Sequence, residues 1–231
     1  MVQMHALNEA VFIAAPVKIL EQNSLLAIFQ VLDFITMQGV TGASVYKRIY
    51  SMCNGANLAY EKQAFYSVNG FEGIDKIASG DDMLLMQKIF KQFPMRVFFL
   101  KSPAAIVATE PANSWRQFLH QRIRWASKAD KYDDPKIFWT LSFIFFLNFS
   151  LLAFLIVAFW NPVWLIFFLV LVLIKGIIEF PFVSGVAGFF QQEKLMKYFF
   201  FLEPLHILYI VVAGTMGKFG GYEWKERKIH S

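Results

Sequence analysis

An α/β unit followed by α-helical membrane segments is the fold class this sequence predicts, and three observations carry it. Short strand and helix patterns alternate from the N-terminus to about residue 130. Ile137–Phe159 then runs 23 residues without a charge, enough for a hydrocarbon core that needs about 20. A second apolar run follows the Asn161-Pro162 break and pairs with the first as a hairpin.

The elements follow in order. Met1–Glu9 lacks the basic n-region and apolar core of a signal peptide. The apolar run at residues 10–17 is read as a buried strand, ended by Pro16. Leu25, Leu26, Ile28, Phe29, Leu32 and Ile35 recur at helical spacing after Ser24, an N-cap candidate, and the helix is expected to stop near Gly39. Residues 40–46 are expected to be extended, interrupted by Gly42 and Ser44. Cys53-Asn54-Gly55-Ala56-Asn57 is a small-residue turn leading into a short strand that ends at Tyr60. A helical turn from Glu61 to Val68 stops at Asn69-Gly70, and residues 71–80 form a loop.

Asp82–Phe93 is predicted as a helix with Met83, Leu84, Met86, Ile89, Phe90 and Phe93 on its apolar face and Pro94 beyond its end. Arg96–Leu100 and Ala104–Thr109 read as strands, and Trp115–Ala129 as a basic amphipathic helix. Membrane segments are expected at about 137–159, 163–183 and 198–216. The third, with Glu203, Pro204 and His206 inside it, is open to two readings, a bent span or an interfacial helix. Lys175 and Glu179 lie four apart within the second; they either line a polymer path or form a structural bridge, and the bridge is preferred. Glu203 and His206 are expected at the interface.

Composition narrows the function. The chain is 57% apolar with 27 Phe and carries a net charge of +5. No basic run is long enough to favour nucleic acid, and Lys/Arg near membrane segments commonly mark the cytoplasmic side. Arg122, Arg124, Lys128, Lys131 and Lys136 precede the first span, which puts that side in the cytoplasm. Lys218, Lys225, Arg227 and Lys228 would lie outside if the third segment crosses, against that tendency, so its topology stays open. The single Cys53 excludes an internal disulfide. His5, His120 and His230 show no metal-ligand spacing.

Two segments carry chemistry: Ser79-Gly80-Asp81-Asp82, an acidic pair opening a helix, and Gln121-Arg122-Ile123-Arg124-Trp125, two guanidiniums and an indole on one helical stretch. Together with the 53–57 turn and the apolar hairpin they give the resemblance. The chain resembles the second half of a membrane-bound family 2 glycosyltransferase. This is the inverting GT-A class that includes cellulose, chitin, hyaluronan and poly-N-acetylglucosamine synthases. The acidic pair is similar to that family's TED or ED motif, and residues 121–125 match its Q(Q/R)xRW pattern at every fixed position.

The resemblance implies that residues 1–132 are the cytoplasmic, acceptor-side part of a GT-A, Rossmann-like domain. Residues 133–231 would be a membrane region of two to three helices with a short basic tail. It implies a hexosyltransferase of polysaccharide biosynthesis, taking a nucleotide-sugar donor and a glycan or lipid-linked acceptor among membrane lipids. Asp82 would be the general base, with Asp81 completing the pair. Arg124, with Arg122 and Gln121, would hold the departing diphosphate. Trp125 would stack on the acceptor sugar, and Gly55, Ala56 and Asn57 would lie against a sugar. Each residue also has a plainer reading: helix capping for the acids, lipid headgroups for the arginines, a membrane-interface position for Trp125, and turn geometry for 55–57.

The family places a nucleotide-binding half with a DxD metal motif before this segment, and no Asp-x-Asp occurs in these 231 residues. The chain is therefore expected to be a fragment, with Mg or Mn required by the complete enzyme and the missing half as a partner. The alternative is a catalytically inactive, membrane-anchored remnant or subunit that binds glycan or a partner. A small transporter is the weakest reading, because it leaves the α/β part unexplained.

Overall fold

The structure, a computed structural model, describes residues 1–49, 52–75, 80–128, 135–224 and 227–230. Ser79, Ala129, Lys131 and Lys225, used in the sequence reading, lie outside the described residues. The chain divides into two compact units: Met1–Glu21 with Phe34–Pro111, and Gln22–Asp33 with Ala112–Ser231.

In the first unit, α1 (Val2–Asn8) precedes strands β1 (Phe12–Ala14) and β2 (Val17–Ile19). The expected single strand at 10–17 is thus two. Pro16, with no N–H to donate, separates them, and each takes a different partner. β1 lies between β3 (Leu58–Tyr60), antiparallel with Ile13 opposite Ala59, and β4 (Val97–Phe99), parallel with Ile13 opposite Phe98. β2 pairs in parallel with β5 (Val107–Thr109), which follows a 3-10 turn at Pro103–Ala105. Sheets with few strands and mixed direction are the result.

Helix α2 runs from Leu25 to Lys47, straight through the region expected to be extended. Its apolar and small polar face continues past Gly39: Gln38, Thr41, Ser44 and Val45 are all buried. The side-chain oxygen of Gln38 accepts from the Val17 N–H at 3.1 Å. Gly42 is a packing glycine, since a Cβ there would meet the Phe99 ring at 3.1 Å. Tertiary packing overrides the weak helix propensity of glycine. Short α3 (Lys62–Ser67) and α4 (Asp81–Gln92) complete the unit. Leu85, Met86 and Ile89 of α4 pack with Val11, Phe12 and Val97 of the strands to form its core.

The second unit holds α5 (Trp115–Ala126), α6 (Pro135–Val157), α7 (Val163–Phe190) and α8 (Phe199–Phe219). The 3-10 segment Glu193–Tyr198 leads into α8. α7 continues beyond the expected end near 183 and through Pro181; at 28 residues it is about 42 Å long, more than a hydrocarbon core of about 30 Å. Close helix approach rests on small residues, as it does where lipid removes the hydrophobic drive between helices. A Cβ on Gly214 would lie 2.6 Å from the Phe145 ring, and one on Gly217 would lie 2.8 Å from Ala126 of α5. The backbone after α8 forms a hairpin, β6 (Gly221–Trp224) with β7 (Arg227–His230), where a basic tail was expected.

Among the described residues, four segments are long and apolar enough to cross a membrane: α2, α6, α7 and Glu193–Phe219. α2 stands apart, because 56% of its apolar window is buried in the protein against 11% for α6 and 17% for α7. It also buries Gln30, Asp33, Gln38, Thr41 and Ser44, as a core helix does.

Candidate active site

In the first unit two of the sequence motifs meet. Residues 54–57 form an Asx turn: Asn54 Oδ1 accepts from the Ala56 N–H at 3.0 Å, and the Asn57 N–H donates to the Asn54 carbonyl at 3.0 Å. That turn aims the Gly55 N–H at α4, where it donates to Asp82 Oδ2 at 2.6 Å. The approach needs glycine, since a Cβ at 55 would sit 3.0 Å from the same oxygen.

Neither acid caps α4 in the ordinary way. The N-cap is Gly80, in the left-handed region at φ 87°, with no side-chain cap bond, and Asp81 and Asp82 both fall in the first turn. There the helix dipole favours their negative charge. Asp81 is exposed and Asp82 half-buried. Beside them, burial pushes the Cys53 thiol well above its ordinary value, and the charges of Asp82 and then Asp81 push it further. Cys53 is therefore a neutral packing group.

Asn57 anchors the turn. It is buried, and its amide nitrogen donates to the Pro16 carbonyl at 2.8 Å and to the Ala105 carbonyl at 2.7 Å. The side chain ties the turn to the ends of two strands.

The remaining predicted residues lie on α5 in the second unit. Ser114 caps this helix, its hydroxyl accepting from the Gln117 N–H at 3.2 Å, while the Gln117 side chain accepts from the Asn113 N–H at 2.9 Å. Gln121, Arg124 and Trp125 are half-buried and share one helical face at i, i+3 and i+4. Arg122 points elsewhere. Its side chain is 3% exposed and meets Asp33 Oδ2 at 2.5 Å, with the guanidinium 4.2 Å from the Trp125 ring and 4.8 Å from Phe118.

Sequence reasoning missed Asp33 and its partners. Tyr209 donates to Asp33 Oδ1 at 2.5 Å, and His206 Nε2 lies 3.9 Å from the same atom. The available signal was a lone acid inside the otherwise apolar stretch Val31–Ile35. The Lys175–Glu179 bridge forms at 2.8 Å. Lys175 also pairs with Glu203, which is buried within the protein: in an apolar bundle a carboxylate is best placed beside a cation.

Residues 4–213 match the family model described as Glycosyl transferase family group 2, and the chain belongs to that family. Its members act on a nucleotide-sugar donor and an acceptor. The four long apolar helices point to membrane association. Neither curated proteins nor solved structures provide a match.

Proposed function

We propose that this chain is the acceptor-side and membrane part of an inverting GT-A glycosyltransferase, working at the cytoplasmic face of a bacterial-type inner membrane. It would transfer a hexose to a glycan or lipid-linked acceptor. The observation that carries the reading is the 2.6 Å bond from the Gly55 N–H to Asp82 Oδ2, which joins the small-residue turn to the acidic pair.

In this reading Asp82 is the general base. Gly55 holds one carboxylate oxygen and fixes the rotamer, and Oδ1 takes the proton from the acceptor hydroxyl. The acceptor's hydroxyl oxygen bonds to the anomeric carbon as the bond from that carbon to the diphosphate oxygen breaks, with inversion. The leaving diphosphate gains negative charge, which Arg124 offsets with Gln121 beside it. Trp125 stacks on the apolar face of the acceptor sugar. Gly55 and Ala56 keep the turn low enough for a sugar to approach, and Asn57 braces the turn. Arg122, buried against Asp33, is assigned to holding α5 and not to the diphosphate.

The complete enzyme is expected to use Mg or Mn. Among the described residues no three His, Cys, Asp or Glu side chains gather, so the donor set for such an ion does not fit there and no step above runs through one. The cation and the donor nucleotide belong in this reading to an N-terminal half bearing the DxD motif.

The test is release of nucleoside diphosphate and sugar transfer by detergent-purified chain with Mn²⁺ or Mg²⁺, alone and with the N-terminal half supplied. Turnover lost in Asp82→Asn with donor binding kept is the expected result. Turnover in neither arrangement favours the inactive, glycan-binding remnant.

A further inference from the structure

The second unit spends a buried ion pair where apolar packing would serve stability as well. Asp33 and Arg122 are each about 3% exposed in their side chains. Arg122 Nε and Nη1 make no hydrogen bond among the described residues; the Asp33 charge and the two aromatic faces are what compensate them. Replacing such a pair with apolar residues of similar size is often neutral or stabilising, so stability alone does not account for it.

Its geometry suggests another use. One turn of α2 grips α5 at both ends. Gln30 exchanges two hydrogen bonds with the backbone of Ala112, just before the α5 cap, at 3.0 and 2.8 Å. Phe29 packs edge-on against Phe118 at 5.5 Å and touches Trp115 at 5.8 Å. Asp33 then holds Arg122 from below, with Tyr209 of α8 bracing the other carboxylate oxygen. The Arg122 guanidinium in turn lies over the Trp125 ring, 4.2 Å from its centroid. Trp125 is thus the shared member of two faces, the buried Phe118–Arg122–Trp125 stack and the Gln121–Arg124–Trp125 face.

We propose that Asp33 is a positioning residue for Trp125, acting through Arg122. The carboxylate fixes the guanidinium plane, and the guanidinium fixes the indole by a cation–π contact at 4.2 Å. The inference rests on the glycosyltransferase reading for its consequence, acceptor-sugar placement, but the positioning itself is measurable without turnover.

The experiment uses the full chain in lipid nanodiscs with 5-fluorotryptophan at its 6 Trp positions, the Trp125 ¹⁹F line being assigned from Trp125→Phe. Four proteins are compared: wild type, Asp33→Asn, Asp33→Glu, and the apolar double variant Asp33→Leu/Arg122→Leu. The last removes both charges together, so no unpaired ion is left to unfold the protein. The Trp125 line is expected to move or broaden in Asp33→Asn and in the double variant and to return toward wild type in Asp33→Glu. A double variant that melts as wild type does and keeps the wild-type Trp125 line overturns the proposal. Where wild type turns over, the double variant should lose about tenfold or more in kcat/KM for acceptor, with donor KM unchanged. A wild type without turnover counts against the glycosyltransferase reading alone, since the ¹⁹F result still decides whether Asp33 positions Trp125.

Discussion

The acidic pair and the arginine–tryptophan helix are held in place by opposite means. Asp82 is steered by one backbone N–H from a turn of small residues, on the half-buried start of a helix. Arg122 is locked by a buried carboxylate, a tyrosine-braced network and two aromatic rings. In the proposed mechanism Asp82 must gain and lose a proton, and a light contact that leaves one oxygen available serves that role. The α5 face proposed to carry a sugar ring and a diphosphate would be served by a rigid, dry support. The difference separates substitutions that cost activity from those that cost the fold.

The largest contrast should come from the two arginines. Arg122→Ala strands the Asp33 charge in the interior and should destabilise the second unit by about 3–5 kcal/mol, read as a lower melting temperature in detergent. Arg124→Ala should lower melting less than that and lower turnover. Equal melting losses would erase the distinction. Next, Met86→Ala in the core of the first unit should cost about 2–5 kcal/mol, because Met86 is fully buried among the strands; denaturant unfolding checks it.

Gly55→Ala should be a smaller, local change. Its Cβ would press on Asp82 Oδ2, so turnover should fall about tenfold or more while melting moves little. Smallest is the response of Cys53. Its thiol is raised by burial and by Asp82 and Asp81, so at pH 8 less of it is thiolate than of a free thiol, and iodoacetamide should react slowly. Asp82→Asn removes one of those charges, lowers the thiol from its raised position and should speed alkylation. The same sign governs stability: the contribution of the neutral thiol is full below the ordinary cysteine range and is lost as pH rises through the raised value.

These contrasts also mark what could be read from the chain alone. Asp82, Arg124 and Trp125 drew attention because their spacing forms motifs, and α4, α6 and α7 were legible because their periodicity or length is strong. The course of α2 was not, since Gly39 and Gly42 look like breakers until Phe99 is seen to need the space at Gly42. Nor was the burial of Arg122 legible, because its partner Asp33 lies 89 positions earlier, and a single acid in an apolar helix carries no spacing signal. The bracing role of Asn57 was hidden for the same reason: its two carbonyl partners, Pro16 and Ala105, are distant in sequence.

The most direct test of the account is nucleotide-sugar turnover by the purified chain, with the N-terminal half supplied, beside its Asp82→Asn variant. The account predicts nucleoside diphosphate release that the variant loses by about a hundredfold or more, with donor binding intact. Release by the variant at the wild-type rate would contradict the assignment of Asp82 as the base.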